Sequence, residues 1–368
     1  MKFTCPKDDL VQALQIVDKA VSPKPQNPIL SGIYIKAENN TLELQSTDYE
    51  IGIIAKLEAQ VEVPGITVLA GKYSQEVIRR LPGDTVEFEF DNSAKLVRIK
   101  SQRSNFSFLC MEAADFPTIT KVQGDVNFDI SDRVLRDMIL NTTFSCAHDE
   151  SRPVFTGCLM EINNQAINMV ATDTHRLSVK SGVLEDYEGN RKLIIPGKLL
   201  VDLQKTLLSD LPRTVHISCN SNHISFEFDN VYISSRLIDG QFPDYTRVIP
   251  ADFKTRITMN TEEIRKIVDR IALISRTNDY NVINMEFSNG MVKISSQNPE
   301  IGNGEEFAAA TIDGDDIRIS CNADYLNDGL KNIKAKDFHM YINTPMTPVS
   351  IRQDEDPDFI YVVTPVRS

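Results

Sequence analysis

The sequence predicts an α+β protein made of three tandem copies of one domain, each with two helices and about eight short strands. Two observations carry that prediction. A short β-like run leading into an amphipathic helix recurs at Lys2-Phe3-Thr4, Asn127-Phe128-Asp129 and Arg256-Ile257-Thr258. A second motif, strand then small residue then helix, recurs in the same order at 67–81, 193–208 and 317–333. The copies are about 125 residues apart, which is a whole domain and not a solenoid unit of roughly 20 to 50 residues.

Taken in order, the first helix of each copy is predicted over 8–20, 132–143 and 262–275, and the second over 71–81, 197–208 and 323–334. Ile264, Ile267, Val268 and Ile271 fall at i, i+3, i+4 and i+7, the stripe of a helix with one buried face. Leu135, Met138 and Ile139 mark the same side in the second copy. Asp8, Ser131 and Thr261 stand where an N-cap belongs. Alternating strands follow, as in Val86-Glu87-Phe88-Glu89-Phe90 and Val215-His216-Ile217-Ser218. Strand pairs carry Ser46-Thr47-Asp48, Ala171-Thr172-Asp173 and Ser296-Gln297-Asn298, and two copies end in Asp115-Phe116-Pro117 and Gln241-Phe242-Pro243. Polar, turn-rich sequence near 121–124 and 250–254 places the domains at 1–122, 123–252 and 253–368. Like domains in a row favour rotational stacking, which closes into a ring where the rotation permits; an open array is the alternative.

An apolar fraction of 41% and a charged fraction of 25% are those of an ordinary globular protein, so disorder is not the default reading. No apolar run is long enough for a membrane span or a signal peptide, so the expected location is the cytoplasm. The six cysteines lack a C-x-x-C pair and read as buried free thiols. A net charge of −13 argues against a polyanionic partner only if charge is spread evenly. It is not, because the predicted helices hold thirteen Lys and Arg against twelve acids, and six of those acids crowd into first turns where they meet the helix dipole. Arg133, Arg136, Lys266 and Arg270 avoid the apolar stripes. Helices sharing one surface would line it with cations suited to phosphates without sequence preference. No aromatic residues interleave with them, which disfavours single-strand binding.

Catalytic motifs are absent from the sequence, and no cofactor is called for. The nearest chemical candidate is Asp173 with His175, placed on one face of a strand as the start of a metal-assisted hydrolase site. A monomeric peptide-binding adaptor is the other alternative. Apolar residues beside turns, Phe155, Leu177, Pro243, Val248, Val362 and Val366, suit a groove for short peptides.

The opening Met1-Lys2-Phe3-Thr4, the turn Ala113-Ala114-Asp115-Phe116-Pro117, Ala171-Thr172-Asp173-Thr174-His175-Arg176-Leu177, Asp239-Gly240-Gln241-Phe242-Pro243-Asp244-Tyr245 and the ending Tyr361-Val362-Val363-Thr364-Pro365-Val366-Arg367 together resemble the bacterial DNA polymerase III β subunits, the β sliding clamps, over the full chain. The resemblance implies a non-catalytic processivity factor, two chains head to tail in a six-domain ring around double-stranded DNA. Its implied partners are the polymerase III α subunit, the clamp loader and other proteins carrying a clamp-binding motif. By resemblance, Leu177, Pro243, Val248, Val362 and Thr364 shape a deep apolar pocket between the second and third domains. Arg152, Phe155, Thr172, Thr174, His175, Arg176, Arg247, Met346, Pro348, Pro365 and Val366 continue the groove. Thr174 stands where the family has glycine, Thr364 and Val366 where it has methionine, and Ser368 where it has leucine; loss of thioethers stiffens such a site. The resemblance also implies a dimer contact of Phe106 and Phe108 against Leu273 and Ile274, with Arg103 and Glu306 as a charged rim. Asn105 and Asn303 replace a family ion pair on both sides. Lys24, His148, Arg152 and Lys198 match positions that contact DNA, and Asp149 introduces a charge beside them.

Overall fold

The computed structural model describes residues 1–22, 24–185, 187–276 and 281–366. Arg367 and Ser368 lie outside them. The described residues include six α-helices, α1 (Lys7–Val17), α2 (Gly71–Arg80), α3 (Asp132–Thr142), α4 (Gly197–Thr206), α5 (Thr261–Ser275) and α6 (Ala323–Asn332), and twenty-six strands. All strand pairs are antiparallel. No described helix is long and apolar enough to cross a membrane.

The chain folds into two compact units, one of residues 1–133 and 205–237, the other of 134–204 and 238–368. The first unit is built on a thirteen-stranded sheet, with α1 packed on α2 and on Ile51–Glu58. Within it Ile51–Glu58 pairs with Val231–Arg236, placing Gly52 opposite Ser234. The second unit has a nine-stranded and a four-stranded sheet. There Arg176–Val183 pairs with Phe359–Val363, placing Leu177 opposite Val362. The two pairings are the same joint, made once by a strand of the first copy with the last strand of the second, and once by the second with the third.

Helix positions follow the apolar stripes. Ile264, Ile267, Val268 and Ile271 are buried in a core with Phe287, Phe338 and Tyr361, and Leu135, Met138 and Ile139 are fully buried. Two caps differ from expectation. Asn260, not Thr261, caps α5, its side chain accepting from the Glu263 amide at 3.0 Å. The residue before α1 is Pro6, with no side-chain cap, and Asp8 lies inside the helix, where its charge meets the dipole. A proline's fixed φ leads into the helix without a capping oxygen. The helix α3 starts directly after Ser131.

Among the strands with an unpaired edge in the described residues, two come from matching places in the first and third copies. Gly302–Ala309 ends the four-stranded sheet. Ser104–Met111 pairs along its length with Leu96–Ser101, but on its other side only Cys110 and Met111 meet Leu69 and Val68.

Candidate functional site

A tight turn underlies the site. In Thr172-Asp173-Thr174-His175-Arg176 the Thr172 hydroxyl donates to the Arg176 carbonyl at 2.6 Å and accepts from the Thr174 amide at 3.1 Å. Asp173 Oδ1 accepts from the His175 and Arg176 amides, both at 3.0 Å, and its Oδ2 from Arg176 Nε at 2.9 Å. Thr174 is thereby held at φ +80°, a region that a β-branched residue rarely adopts. This corrects the expectation that Asp173 and His175 share a strand face. They lie in a turn because an Asp side chain bonds readily to amides two and three residues on. Asp173 is occupied by that turn and by Arg176, and the His175 ring stacks on Tyr325 at 6.1 Å, which leaves the hydrolase alternative without its carboxylate.

Beside the turn is a cavity of about 230 Å³ lined by Phe155, Thr172, Thr174, Arg176, Leu177, Phe242, Pro243, Asp244, Tyr245, Val248, Val362 and Thr364. Its floor is the Leu177/Val362 pair of the sheet joint, both buried. Phe155 and Phe242 meet edge to face at 6.1 Å, a favoured aromatic geometry. Tyr245 is fixed by its hydroxyl donating to Glu161 Oε2 at 2.7 Å, with Lys192 on Oε1 at 2.6 Å. Burial and the Glu161 carboxylate push the Tyr245 hydroxyl well above its ordinary range, so it stays protonated and keeps donating. Arg176 sits under the cavity between Asp173 and Asp328, 2.8 Å from the latter, with its guanidinium over the Tyr325 ring at 4.6 Å. Burial works against its charge, but Tyr361, Asp328 and Asp173 more than offset it and raise its pKa.

All five residues expected in the deep pocket line this cavity, as do Phe155, Thr172, Thr174 and Arg176. The remaining seven lie outside its lining. Arg152 is exposed ahead of the 3-10 turn Pro153–Thr156, His175 stacks on Tyr325, and Arg247 points to Asp244 at 2.9 Å. Met346 is exposed, Pro348 half-buried, Pro365 buried, and the Val366 amide donates to the Ser320 carbonyl. Phe242, Asp244 and Tyr245 line the cavity without having been singled out, although the repeated Phe-Pro turn marks them.

Lys24 in the first unit and His148, Arg152 and Lys198 in the second are all exposed. Among the helix cations, Arg133, Lys266 and Arg270 are exposed and Arg136 is half-buried. Lys266 pairs with Glu262 at 3.0 Å, and Arg270 grips Glu306 through two bonds of 2.8 and 2.6 Å. Glu306, expected to face Arg103, is thus already held within its own unit, and Arg270 lowers its pKa. Phe106 and Leu273 are 42% and 59% exposed, high for large apolar groups, while Phe108 and Ile274 are half-buried. Arg103 is exposed. The Asn298 side chain builds the same turn as Asp173, accepting from the Glu300 and Ile301 amides.

Comparison with known proteins covers nearly the whole chain. Residues 1–120 match the N-terminal domain of the DNA polymerase III beta subunit, 129–244 its central domain and 246–367 its C-terminal domain. The Beta sliding clamp of Bacillus subtilis (strain 168) is 33% identical over 379 residues, covering 100% of both chains, and that of Staphylococcus epidermidis is 32% identical over 377 residues, again with 100% of both. Among solved structures, the DNA polymerase sliding clamp from Bacillus subtilis superposes with a TM-score of 0.93 at 32% identity, covering 100% of this chain and 99% of that one. The Pseudomonas aeruginosa sliding clamp bound to griselimycin gives 0.94 at 28% identity with 100% of both chains.

Proposed function

The chain belongs to the DNA polymerase III beta subunit family, and from that premise we infer how it works. It is a non-catalytic sliding clamp, a processivity factor that encircles duplex DNA as a head-to-tail homodimer and tethers the polymerase and other clamp-binding proteins. The observation that carries this is the repeated sheet joint. A strand of copy one pairs with the last strand of copy two, and the matching strand of copy two pairs with the last strand of copy three. The same rule applied once more asks the matching strand of copy three, Gly302–Ala309, to pair with the last strand of copy one, Ser104–Met111. Both have open edges. Such a pairing between two chains is heterologous in its surfaces and closes after two chains and six domains.

We propose domain limits of 1–122, 123–252 and 253–368, and a seam in which Phe106 and Phe108 of one chain cover Leu273 and Ile274 of the other, with Arg103 and Glu306 at its rim. The partner-peptide site is the cavity over Leu177 and Val362, with Arg152, His175, Arg247, Met346, Pro348, Pro365 and Val366 extending it. Its twelve lining residues are mainly apolar, and its volume suits one or two side chains of a short motif. Lys24, His148, Arg152 and Lys198 contact phosphates, and the working location is the cytoplasm.

The test is retention on DNA. Loaded onto a nicked circle at physiological salt, the protein is expected to stay until the circle is cut and then to run off the ends. Rapid loss from the uncut circle would falsify topological tethering.

A further inference from the structure

We propose that the first unit holds a second peptide site, selective for an extended, polar, uncharged segment bound chiefly through its main chain. It lies over the first copy of the sheet joint and uses residues separate from the apolar groove.

The two places are built alike. Thr47 and Asp48 make the same turn as Thr172 and Asp173: the Thr47 hydroxyl donates to the Ile51 carbonyl, and Asp48 Oδ1 accepts from the Glu50 and Ile51 amides. Tyr49 is held at φ +75°, as Thr174 is at +80°. The Arg236 amide donates to the Glu50 carbonyl at 3.0 Å, matching Thr364 and His175 at 2.9 Å. At the floor the register is preserved and the chemistry is changed. Where the groove has Leu177 opposite Val362, this cleft has Gly52 opposite Ser234. The Ile119 side chain packs over Gly52, and the cavity beside it is about 670 Å³, within the usual range for ligand sites.

Its wall supplies the recognition. Pro117 to Thr120 line the cleft outside any helix or strand, alternating between half-buried and exposed as an extended segment does, and the main-chain groups of Thr118 to Lys121 have no hydrogen-bond partner among the described residues. Unpaired extended backbone is a template for strand addition. The charged rim is already balanced, Arg236 by Glu50 at 3.2 Å and Lys121 by Glu227 at 2.8 Å. A charged ligand would have to displace these pairs, whereas a polar uncharged one meets Ser234, Asn220 and His223 without doing so.

The probe is a short fluorescein-labelled peptide of alternating threonine and asparagine, titrated against the full-length protein by anisotropy. Saturable binding is expected, little changed by salt and unchanged in the Leu177→Ala/Pro243→Ala variant, whose own groove is disabled. N-methylating alternate peptide amides, Thr120→Pro, or His223→Trp should each weaken it roughly tenfold, the size of one or two main-chain hydrogen bonds. Failure of the unmodified peptide to saturate overturns the proposal. So does loss of binding in the groove variant, a steep salt dependence, or indifference to the N-methylated copy and both cleft substitutions.

Discussion

Thr174 at φ +80° is the clearest case of a single residue under strain, since a left-handed β-branched residue costs on the order of 1 kcal/mol or more. Thr174→Gly should relieve it and, after glycine's larger unfolded-state entropy, raise the thermal midpoint by about 1 to 3 °C. A lowered midpoint in a calorimetric scan would show that Thr174 contributes more than its strain takes away. Leu177 and Pro243 belong to the same scale: truncating both to alanine should weaken a partner peptide by about 2 kcal/mol, as for hot-spot residues, while native mass stays dimeric. Dissociation on that substitution would mean that these side chains support assembly instead of binding. Much of the groove was legible at this level because Thr172 to Leu177 and Gln241 to Pro243 sit in recognisable motifs. Tyr245 stands in the same motif, but its bond to Glu161, 84 residues earlier in the chain, was not legible, because no local spacing encodes it.

At the scale of elements, the helix stripes were readable because burial on one face imposes its own period. The caps were less so, since Asn260 and Thr261 are both competent and only the backbone geometry decides between them. Nor does periodicity reveal the ion network beneath the second joint. Lys180, nearly buried, bonds Asp356 at 2.7 Å and Asp137 at 3.2 Å, and Asp137 also meets Lys334 at 2.8 Å. Burial alone would raise Asp137, but Lys334 and Lys180 bring its pKa below the ordinary value. Burial alone would lower Lys180, but Asp356 and Asp137 bring it above. The depressed carboxyl adds stability above its unfolded value of about 3.9, lost as pH falls through the folded value. The raised ammonium adds stability below about 10.4, lost as pH rises through its folded value. Lys180→Met should therefore destabilise by about 2 kcal/mol across neutral pH, with the gap to the parent closing below about pH 4 and above about pH 10.4. Urea melts at pH 3, 7 and 11 check this, and a gap that is the same at all three would sink it.

At the scale of the whole molecule, three copies in one chain leave one joint unmade, and a second chain supplies it. Native mass should report a dimer, and Phe106→Asp with Leu273→Asp should give a folded monomer, since buried unpaired carboxylates oppose closure. A dimer surviving both changes would place the seam elsewhere. The three joints are unequal in what their strands carry. One internal joint brings together Ile51, Ile53 and Ile233, the other Leu177, Val179 and Val362, whereas the open strand begins Gly302-Asn303-Gly304, with Ile271 and Ile274 filling in behind the second glycine. At those glycines the strand itself gives little grip beyond its hydrogen bonds, and the side-chain contact falls to Phe106, Phe108, Leu273 and Ile274. A pulling or twisting force is thus expected to part the closed assembly where the glycines are, so that the door and the load-bearing frame are different pieces of the same construction.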